Sequence, residues 1–278
     1  MRQFFFTIIV LVAMLLVALI LEAGSIDDVD AKEVVCDGVR LKHIGKASLN
    51  VPLPPQMHIE SGAATLCLEG ARQSGCDLRI SYFEYEPGDA EFYFDEDGDI
   101  EYRTQSGEPA MLRTMTGAIP RDIELSAELG AGNVSIAGMR GSESLVLEVG
   151  AGDVELTDFE SMKNLVVECG AGEVTLFDFN VLQNAVIDAG IGNVVLREVR
   201  NIESLEASLG MGNLLLDDCD GNQVEANTGM GNVTVRDTDL DRLDVSSGMG
   251  NVVMQRSNVV YREFDLGMGK VIIKQESQ

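Results

Sequence analysis

The chain has 278 residues, of which 45% are hydrophobic and 5% aromatic, and its formal net charge at pH 7 is −26. This excess of carboxylates disfavours duplex nucleic acid as a partner, because such binding depends on neutralising phosphates with Lys and Arg. The five Cys show no C-x-x-C spacing, which excludes zinc-ribbon and thioredoxin-type motifs. Cys67 and Cys76 could form a disulfide across a hairpin, whereas Cys169 and Cys219 stand singly inside repeats as small apolar side chains.

The N-terminus carries an uncharged apolar segment at residues 4–21, FFFTIIVLVAMLLVALIL. Its length is about that needed to cross hydrocarbon as a helix. A cleaved signal peptide has a shorter apolar stretch and a small-x-small exit, whereas the best exit here begins with the large Leu21. The segment therefore predicts an uncleaved, single-pass anchor, with a cleaved signal as the alternative. Basic residues nearly balance across it, and the very short tail favours a cell-membrane protein with its body on the extracytoplasmic side.

A G-x-G motif recurs every 19 or 20 residues through the second half of the chain. One such motif is a weak signal, but eight at nearly fixed spacing indicate a repeat, and a period of this size is typical of solenoids. We expect the glycines to have structural roles, since they permit sharp bends and close backbone approach. They are Gly130, Gly132, Gly150, Gly152, Gly170, Gly172, Gly190, Gly192, Gly210, Gly212, Gly229, Gly231, Gly248, Gly250, Gly267 and Gly269.

Each motif is followed by a polar residue and then by two apolar residues spaced two apart, as at Val134 and Ile136. This alternation, rich in β-branched side chains, predicts a short strand. We expect coils of two or three short strands, with equivalent residues stacked about 4.8 Å apart. One interior column is predicted to contain Met139, Phe159, Phe179, Val199 and Cys219.

The sequence thus predicts an all-β protein: a single-stranded, right-handed parallel β-solenoid of about eight 19–20-residue coils, with a β-rich N-terminal cap and one preceding transmembrane helix. The predicted domains are an anchor at 1–24, a linker with first strands at 25–50, a capping domain at 51–121 and the solenoid at 122–278. Within the cap we expect a strand at 77–86 and a hairpin at 91–103, with Asp97-Gly98 as its turn. The cap would cover an otherwise unpaired strand edge.

Three stretches of the sequence resemble a known family. IPRDIELSAELGAGNVSIAG (119–138) and LEVGAGDVELTDF (147–159) are similar to the bacterial toast-rack, or putative-adhesin, β-solenoid domains of unknown function. IESGAATLCLEGA (59–71) looks like the domain that often precedes such a solenoid. The resemblance covers the chain from about residue 51 to the end. It implies the solenoid fold, frequent membrane attachment and an adhesion or envelope-related role, and it supplies no catalytic residues.

An acidic column is the first candidate site. The residue eight positions after the first glycine of a repeat is acidic in five successive coils, at Asp158, Asp178, Glu198, Asp218 and Asp237. Stacked carboxylates repel, and a hard cation such as Ca²⁺ would relieve the repulsion. The alternative is a solvated turn edge, partly neutralised by Arg197 and Arg236. A second acidic set, Glu148, Glu168 and Asp188, has the same two interpretations.

The residue between the two glycines changes from Ala or Ile to Met along the repeats. The four methionines are Met211, Met230, Met249 and Met268. They could pack in the turn, form an adaptable apolar strip for a partner, or bind Cu(I) through their thioethers. The polar residue after each motif, often Asn, predicts a ladder of turns.

The function that these features favour is a non-enzymatic, membrane-anchored module for binding, adhesion or envelope sensing. Its partners would be the membrane together with a protein or an envelope polysaccharide, and it would need no cofactor unless the acidic column holds Ca²⁺. One alternative is a scaffold that self-associates through the ends of the solenoid. Another is a polysaccharide-acting β-helix enzyme, which would need long loops around a cleft, whereas every repeat is close to the minimum length.

Overall fold

A computed structural model describes residues 33–274, and all the regular elements in this range are β-strands. The predicted anchor lies outside the described residues. Between residues 33 and 274, no helix is long and apolar enough to cross a membrane.

Nine strands precede the regular repeats: β1 (Val34–Cys36), β2 (Val39–Leu41), β3 (His43–Pro52), β4 (Gln56–Ala63), β5 (Thr65–Ala71), β6 (Gly75–Glu84), β7 (Ala90–Phe94), β8 (Ile100–Thr104) and β9 (Met111–Pro120). Strands β7 and β8 pair antiparallel, which confirms the predicted hairpin. At its turn, Asp95 Oδ1 accepts the backbone N–H groups of Asp97 and Asp99 at 3.0 and 2.9 Å. Strand β6 lies at the predicted strand, two residues earlier at each end.

Each of the eight repeats then forms one long strand and one short strand. The long strands are β10 (Glu124–Ala131), β12 (Ser142–Ala151), β14 (Met162–Ala171), β16 (Leu182–Ile191), β18 (Ile202–Met211), β20 (Asp220–Met230), β22 (Asp239–Met249) and β24 (Asn258–Met268). The short strands are β11 (Val134–Ala137), β13 (Val154–Phe159), β15 (Val174–Phe179), β17 (Val194–Val199), β19 (Leu214–Asp217), β21 (Val233–Arg236), β23 (Val252–Gln255) and β25 (Val271–Lys274). Long strands pair in parallel with long strands and short with short, with equivalent residues of successive repeats in register. The predicted parallel β-solenoid is confirmed.

The two sheets also extend into the segment before the first G-x-G motif. Strand β4 pairs in parallel with β10 and β5 with β11, so residues 56–71 form a ninth coil. Its corner reads Gly62-Ala63-Ala64 and so has a side chain in place of the second glycine. In the next coil, a Cβ on Gly132 would lie 1.9 Å from the carbonyl oxygen of Ala64. Nine coils about 4.8 Å apart form a rod roughly 38 Å long.

The N-terminal end of the rod is covered. Strands β9, β6 and β3 continue the short-strand sheet beyond β5, where β9 is parallel to β5 and the other two pairings are antiparallel. The β7–β8 hairpin meets the long-strand sheet, where the His58 backbone N–H donates to the Gly98 carbonyl at 2.9 Å. Both sheets are therefore protected at this end, as a cap requires.

The core consists of apolar columns that run along the rod between the two sheets. The predicted column from Met139 to Cys219 is buried, and the rings of Phe159 and Phe179 stack in it with centroids 4.5 Å apart. Burial raises the pKa of the Cys219 thiol to about 11, which keeps it protonated and supports its role as a packing residue. Cys67 and Cys76 lie on different strands that both pair with β9, and both are free thiols.

The two glycines of each corner are needed for different reasons. The second has a positive φ, which rises from 129° at Gly132 to 159° at Gly250, a region that L-residues rarely adopt. The first allows close stacking, because a Cβ on Gly170 would lie 2.4 Å from the carbonyl oxygen of Gly150. The polar residues that follow form the predicted ladder: Oδ1 of Asn232, for example, accepts the Asn251 backbone N–H at 3.0 Å.

Candidate functional site

A groove with a volume of about 1330 Å³ extends along the long-strand sheet across all nine coils. Its floor is the column of first glycines, which present backbone rather than side chains. These floor glycines are Gly62, Gly130, Gly150, Gly170, Gly190, Gly210, Gly229, Gly248 and Gly267. The groove therefore exists because the strands need a residue without a Cβ at this point, and the requirement repeats in every coil.

One wall of the groove is formed by the residue two positions before each floor glycine. Five of these positions in successive coils are acidic, and we call them the acidic ladder: Glu60, Glu128, Glu148, Glu168 and Asp188. Each lies directly opposite the next in the strand register. In the remaining coils the wall continues with Ser208, Asn227, Ser246 and Asp265. The groove thus has an acidic half and a mostly neutral half.

The charge of the acidic ladder is uncompensated. Among residues 33–274, no ion pair involves a ladder carboxylate; elsewhere in these coils Lys163 pairs with Glu143 and Arg140 with Asp158. Burial, together with the charges of Glu168 and Glu128, raises the pKa of Glu148 above its usual value. A positively charged ligand would therefore find its counter-charges already aligned here.

Sequence reasoning identified three members of this ladder and missed two. Glu148, Glu168 and Asp188 were expected as a second acidic set, but Glu128 and Glu60 were not included. The missing signal is the spacing acid-x-Gly, which occurs in Glu128-Leu129-Gly130 and also in Glu60-Ser61-Gly62. The latter escaped notice because its coil lacks the second glycine.

Two residues of the neutral half have buried hydroxyl groups that face the core. Thr228 and Ser247 directly precede the floor glycines Gly229 and Gly248 and belong to the groove lining. They are 5% and 6% exposed, and neither hydroxyl oxygen has a hydrogen-bond partner. Both are in register with the core residue Leu209, so their side chains face the interior, where a polar group without a partner costs stability.

The methionines form a continuous strip that directly follows the floor glycines in sequence. Met211, Met230, Met249 and Met268 are in register with one another, and they are 42%, 43%, 42% and 64% exposed. Ile191 extends the strip by one coil and is 49% exposed. The side chains are thus not packed away in the turn, which leaves the partner strip and the Cu(I) site as predictions.

The acidic column lies elsewhere, at the C-terminal ends of the short strands. Its residues are either next to last in a short strand or directly follow one. All five members have a left-handed backbone, with φ between 49° and 60°, and the equivalent positions at the two ends of the column are Gly138 and Arg256. Asp and Asn tolerate this conformation better than other non-glycine residues do. The left-handed backbone conformation therefore explains why Asp is frequent in this column.

Three of these corner carboxylates have arginine partners. Arg140 Nη2 donates to both carboxylate oxygens of Asp158 at 2.9 and 3.0 Å, and Arg200 Nη2 donates to Asp218 at 2.7 Å. Arg256 forms a bidentate pair with Asp237 at 2.6 and 2.7 Å. The last pair lowers the pKa of Asp237.

The arginines expected beside the column act differently. Arg236 donates mainly to Asp217, which Arg197 also approaches at 3.6 Å, and Arg236 lies 4.0 Å from Asp237. Within the described part of the chain, no three His, Cys, Asp or Glu side chains are grouped as a metal site would require. Calcium binding by the column stays a prediction.

Comparison with known proteins found no matching protein-family model and no matching curated protein. Among solved structures, a "putative adhesin" from Bacteroides fragilis is 14% identical, with 84% of this chain and 97% of that chain covered and a TM-score of 0.43. A "putative cell adhesion protein" from Clostridium sporogenes is 12% identical, with 84% and 100% covered and a TM-score of 0.22. Both are named as adhesion proteins.

Proposed function

We propose that this protein is a non-enzymatic binding module of the cell envelope, held at the membrane by its N-terminal segment, which takes up an extended ligand along the groove. The observation that carries the proposal is the continuity of the groove across nine coils. A ligand that follows the rod axis meets a similar backbone floor every coil and different wall residues in each half. Such a surface suits adhesion to, or sensing of, a chain-like envelope component.

The alternative of a polysaccharide-acting enzyme has less support. Short connections join the strands of the repeats, so no long loops rise beside the groove between residues 122 and 274. The two histidines, His43 and His58, lie on β3 and β4 and outside the groove lining. Glycoside hydrolysis needs two carboxyl groups with distinct roles on either side of the scissile bond, whereas the ladder aligns its acids on one wall.

A scaffold that assembles through the ends of the rod has one observation in its favour. Beyond β24 and β25 neither sheet has a further strand within the described residues, and apolar side chains such as Tyr261 and Ile273 are exposed there. Charges oppose it: Arg262 replaces the apolar residue of a core column, in register with Leu243, and Lys274 ends β25. Inward-pointing charges and edge lysines are a common defence against edge-to-edge pairing.

The test is adherence of cells that produce the full chain to an immobilised preparation of envelope polysaccharide. Ser208→Trp should abolish adherence, because the indole would project from the wall over the floor beside Gly210. Ser204→Trp is the matched control, since this serine is on the same strand and sheet face but outside the groove lining. Equal adherence of both variants would refute binding through the groove.

The position of the body is tested separately by treating intact cells with a protease. Cleavage of residues 33–274 without lysis supports an extracytoplasmic body. Protection in intact cells, with cleavage only after lysis, would contradict it.

A further inference from the structure

The methionine strip contains long side chains that the fold does not require. In earlier coils the same corner position is alanine, as at Ala151 and Ala171. The backbone is held there by the Gly152 N–H, which donates to the Ala171 carbonyl at 2.8 Å. In the strip, the Gly231 N–H donates to the Met249 carbonyl in the same way, at 2.9 Å. Alanine is therefore sufficient for the corner, and the backbone gives no reason for a longer residue.

The strip also has the same residue in four successive coils, whereas an apolar column of the same coils varies. Every strip position from Met211 to Met268 is methionine. The second apolar residue of the short strand differs in each of these coils: it is Leu216, Val235, Met254 and Ile273. Any of these residue types would provide an apolar surface. The feature that is specific to the strip is therefore its thioether groups.

The thioethers of the strip are accessible and close enough to share one ion. The side chains are between 42% and 64% exposed and lie in register on neighbouring strands, so successive methionines are about 4.8 Å apart. Both sequence neighbours of each methionine are glycines, and so no adjacent side chain in the sequence crowds the sulfur. Because methionine is unbranched and has three rotatable bonds, three neighbouring sulfurs can converge on one point.

The polar residues beside the strip are already engaged with one another. Nδ2 of Asn232 donates to Oδ1 of Asn213 at 3.1 Å, and Nδ2 of Asn251 donates to Oδ1 of Asn232 at 3.3 Å. In the part of the chain from 33 to 274, no three His, Cys, Asp or Glu side chains are grouped as a metal site. Thioethers are soft ligands that suit Cu(I), whereas Ca²⁺ and Mg²⁺ prefer oxygen. The strip therefore offers sulfur ligands for a soft cation.

We propose that the methionine strip binds one Cu(I) ion through the thioethers of three consecutive methionines. The strip contains two such sets. One begins at Met211 and the other at Met230, so Met230 and Met249 belong to both. The net charge of −26 favours a cationic ligand on this chain. Copper binding at this corner does not depend on ligand binding in the groove.

The test is equilibrium dialysis of the full chain, in a nonionic detergent, against Cu(I) that is kept reduced by ascorbate without oxygen. Cys36 and Cys67, the two cysteines that are not buried, are replaced by Ser in every sample, because thiolates also bind Cu(I). Burial raises the thiol pKa of the other three, to about 11 for Cys169 and Cys219, which keeps them protonated. We expect saturation at one copper per chain and no retention of Zn²⁺ in its place.

The variants replace methionine by leucine, which keeps the surface apolar and removes the sulfur. Met230→Leu should weaken Cu(I) binding roughly tenfold or more, since no three consecutive methionines remain and losing a ligand costs at least as much as losing an outer-shell partner. Met268→Leu should weaken it only about twofold, because one of the two sets is intact. The control is Met111→Leu, a partly buried methionine on β9 outside the strip, which should leave the affinity unchanged.

Four results would overturn the copper site. They are the absence of saturable Cu(I) binding, equal retention of Zn²⁺, equal losses of affinity in Met230→Leu and Met268→Leu, and a loss in Met111→Leu as large as that in Met230→Leu. Far-UV circular dichroism confirms that each variant is folded. Full Cu(I) affinity in Met230→Leu would also exclude the strip as the site and leave it as an apolar contact surface.

Discussion

Replacing Gly192 by Ala should disrupt the stacking of the coils far more than an ordinary glycine substitution does. Gly192 has a φ of 149°, and an added Cβ would lie 1.7 Å from the carbonyl oxygen of Gly172 and 2.7 Å from its carbon. Both neighbours are backbone atoms, so they cannot turn aside as a flexible side chain would. The coils must separate or the corner must change its conformation.

The magnitude follows from a comparison with Gly88. That glycine also has a positive φ, of 77°, but nothing lies within 4 Å of an added Cβ. Gly88→Ala therefore pays only for the unfavourable backbone region, about 1–2 kcal/mol. Gly192→Ala has a similar backbone cost and, in addition, the cost of the overlap. We therefore expect the free energy of unfolding to fall by about 4 kcal/mol or more, at the severe end for single substitutions.

The assay is thermal unfolding of the full chain in a nonionic detergent, followed by far-UV circular dichroism. With roughly 2–4 °C per kcal/mol for a domain of this size, Gly88→Ala should lower Tm by about 2–8 °C and Gly192→Ala by at least twice as much as the control. Similar shifts for the two variants would refute the close approach of successive corners.

Three further predictions concern the asparagine ladder, the acidic ladder and the acidic column. Asn232→Ala should cost about 1–3 kcal/mol in the free energy of unfolding, because it loses hydrogen bonds to Asn213 and Asn251; urea denaturation measures this, and Asn184→Ala on the open sheet face should change it by less than about 0.5 kcal/mol. Because the folded pKa of Glu148 is raised, its charge destabilises the fold at neutral pH and the penalty disappears as pH falls through that pKa; Glu148→Gln should therefore raise Tm by about 1–4 °C at pH 7 and not at acidic pH, and an equal gain at both would contradict this. Calcium at millimolar concentration should leave Tm unchanged relative to chelator, since arginines already pair with three corner carboxylates; a rise that Asp178→Asn abolishes would instead establish the metal site.

The repeat architecture could be predicted from the sequence because the same residue pattern recurs in each coil. The glycine pair, the alternating apolar residues and the interior column of Phe159 and Phe179 all recur at one period, so errors in a single coil do not matter. The ninth coil was missed because Ala64 occupies the second glycine position; on its far side the short-strand sheet continues with β9 rather than with another glycine corner. That exception depends on three-dimensional stacking and leaves little trace in the local sequence.

The candidate site was harder to predict, since the groove forms where glycines leave the sheet surface without side chains. Sequence reasoning treated the glycines as bends and could not see that one column of them forms an open floor beside Glu148. It ranked the corner carboxylates first, yet their left-handed backbone and arginine partners, such as Arg140 on Asp158, give them structural reasons to be there. Which arginine meets which acid depends on side-chain geometry across neighbouring coils.

The binding account is tested most directly by methionine oxidation of the full chain, followed by mass spectrometry. The exposed strip residues, such as Met230, should react well before the buried Met57 and Met162, which serve as internal references. Adding the envelope preparation to which producing cells adhere should slow oxidation of Met211, Met230 and Met249, because each of them directly follows a floor glycine of the groove. Unchanged oxidation of Met211, Met230 and Met249 in the presence of the preparation would contradict the groove as the binding surface.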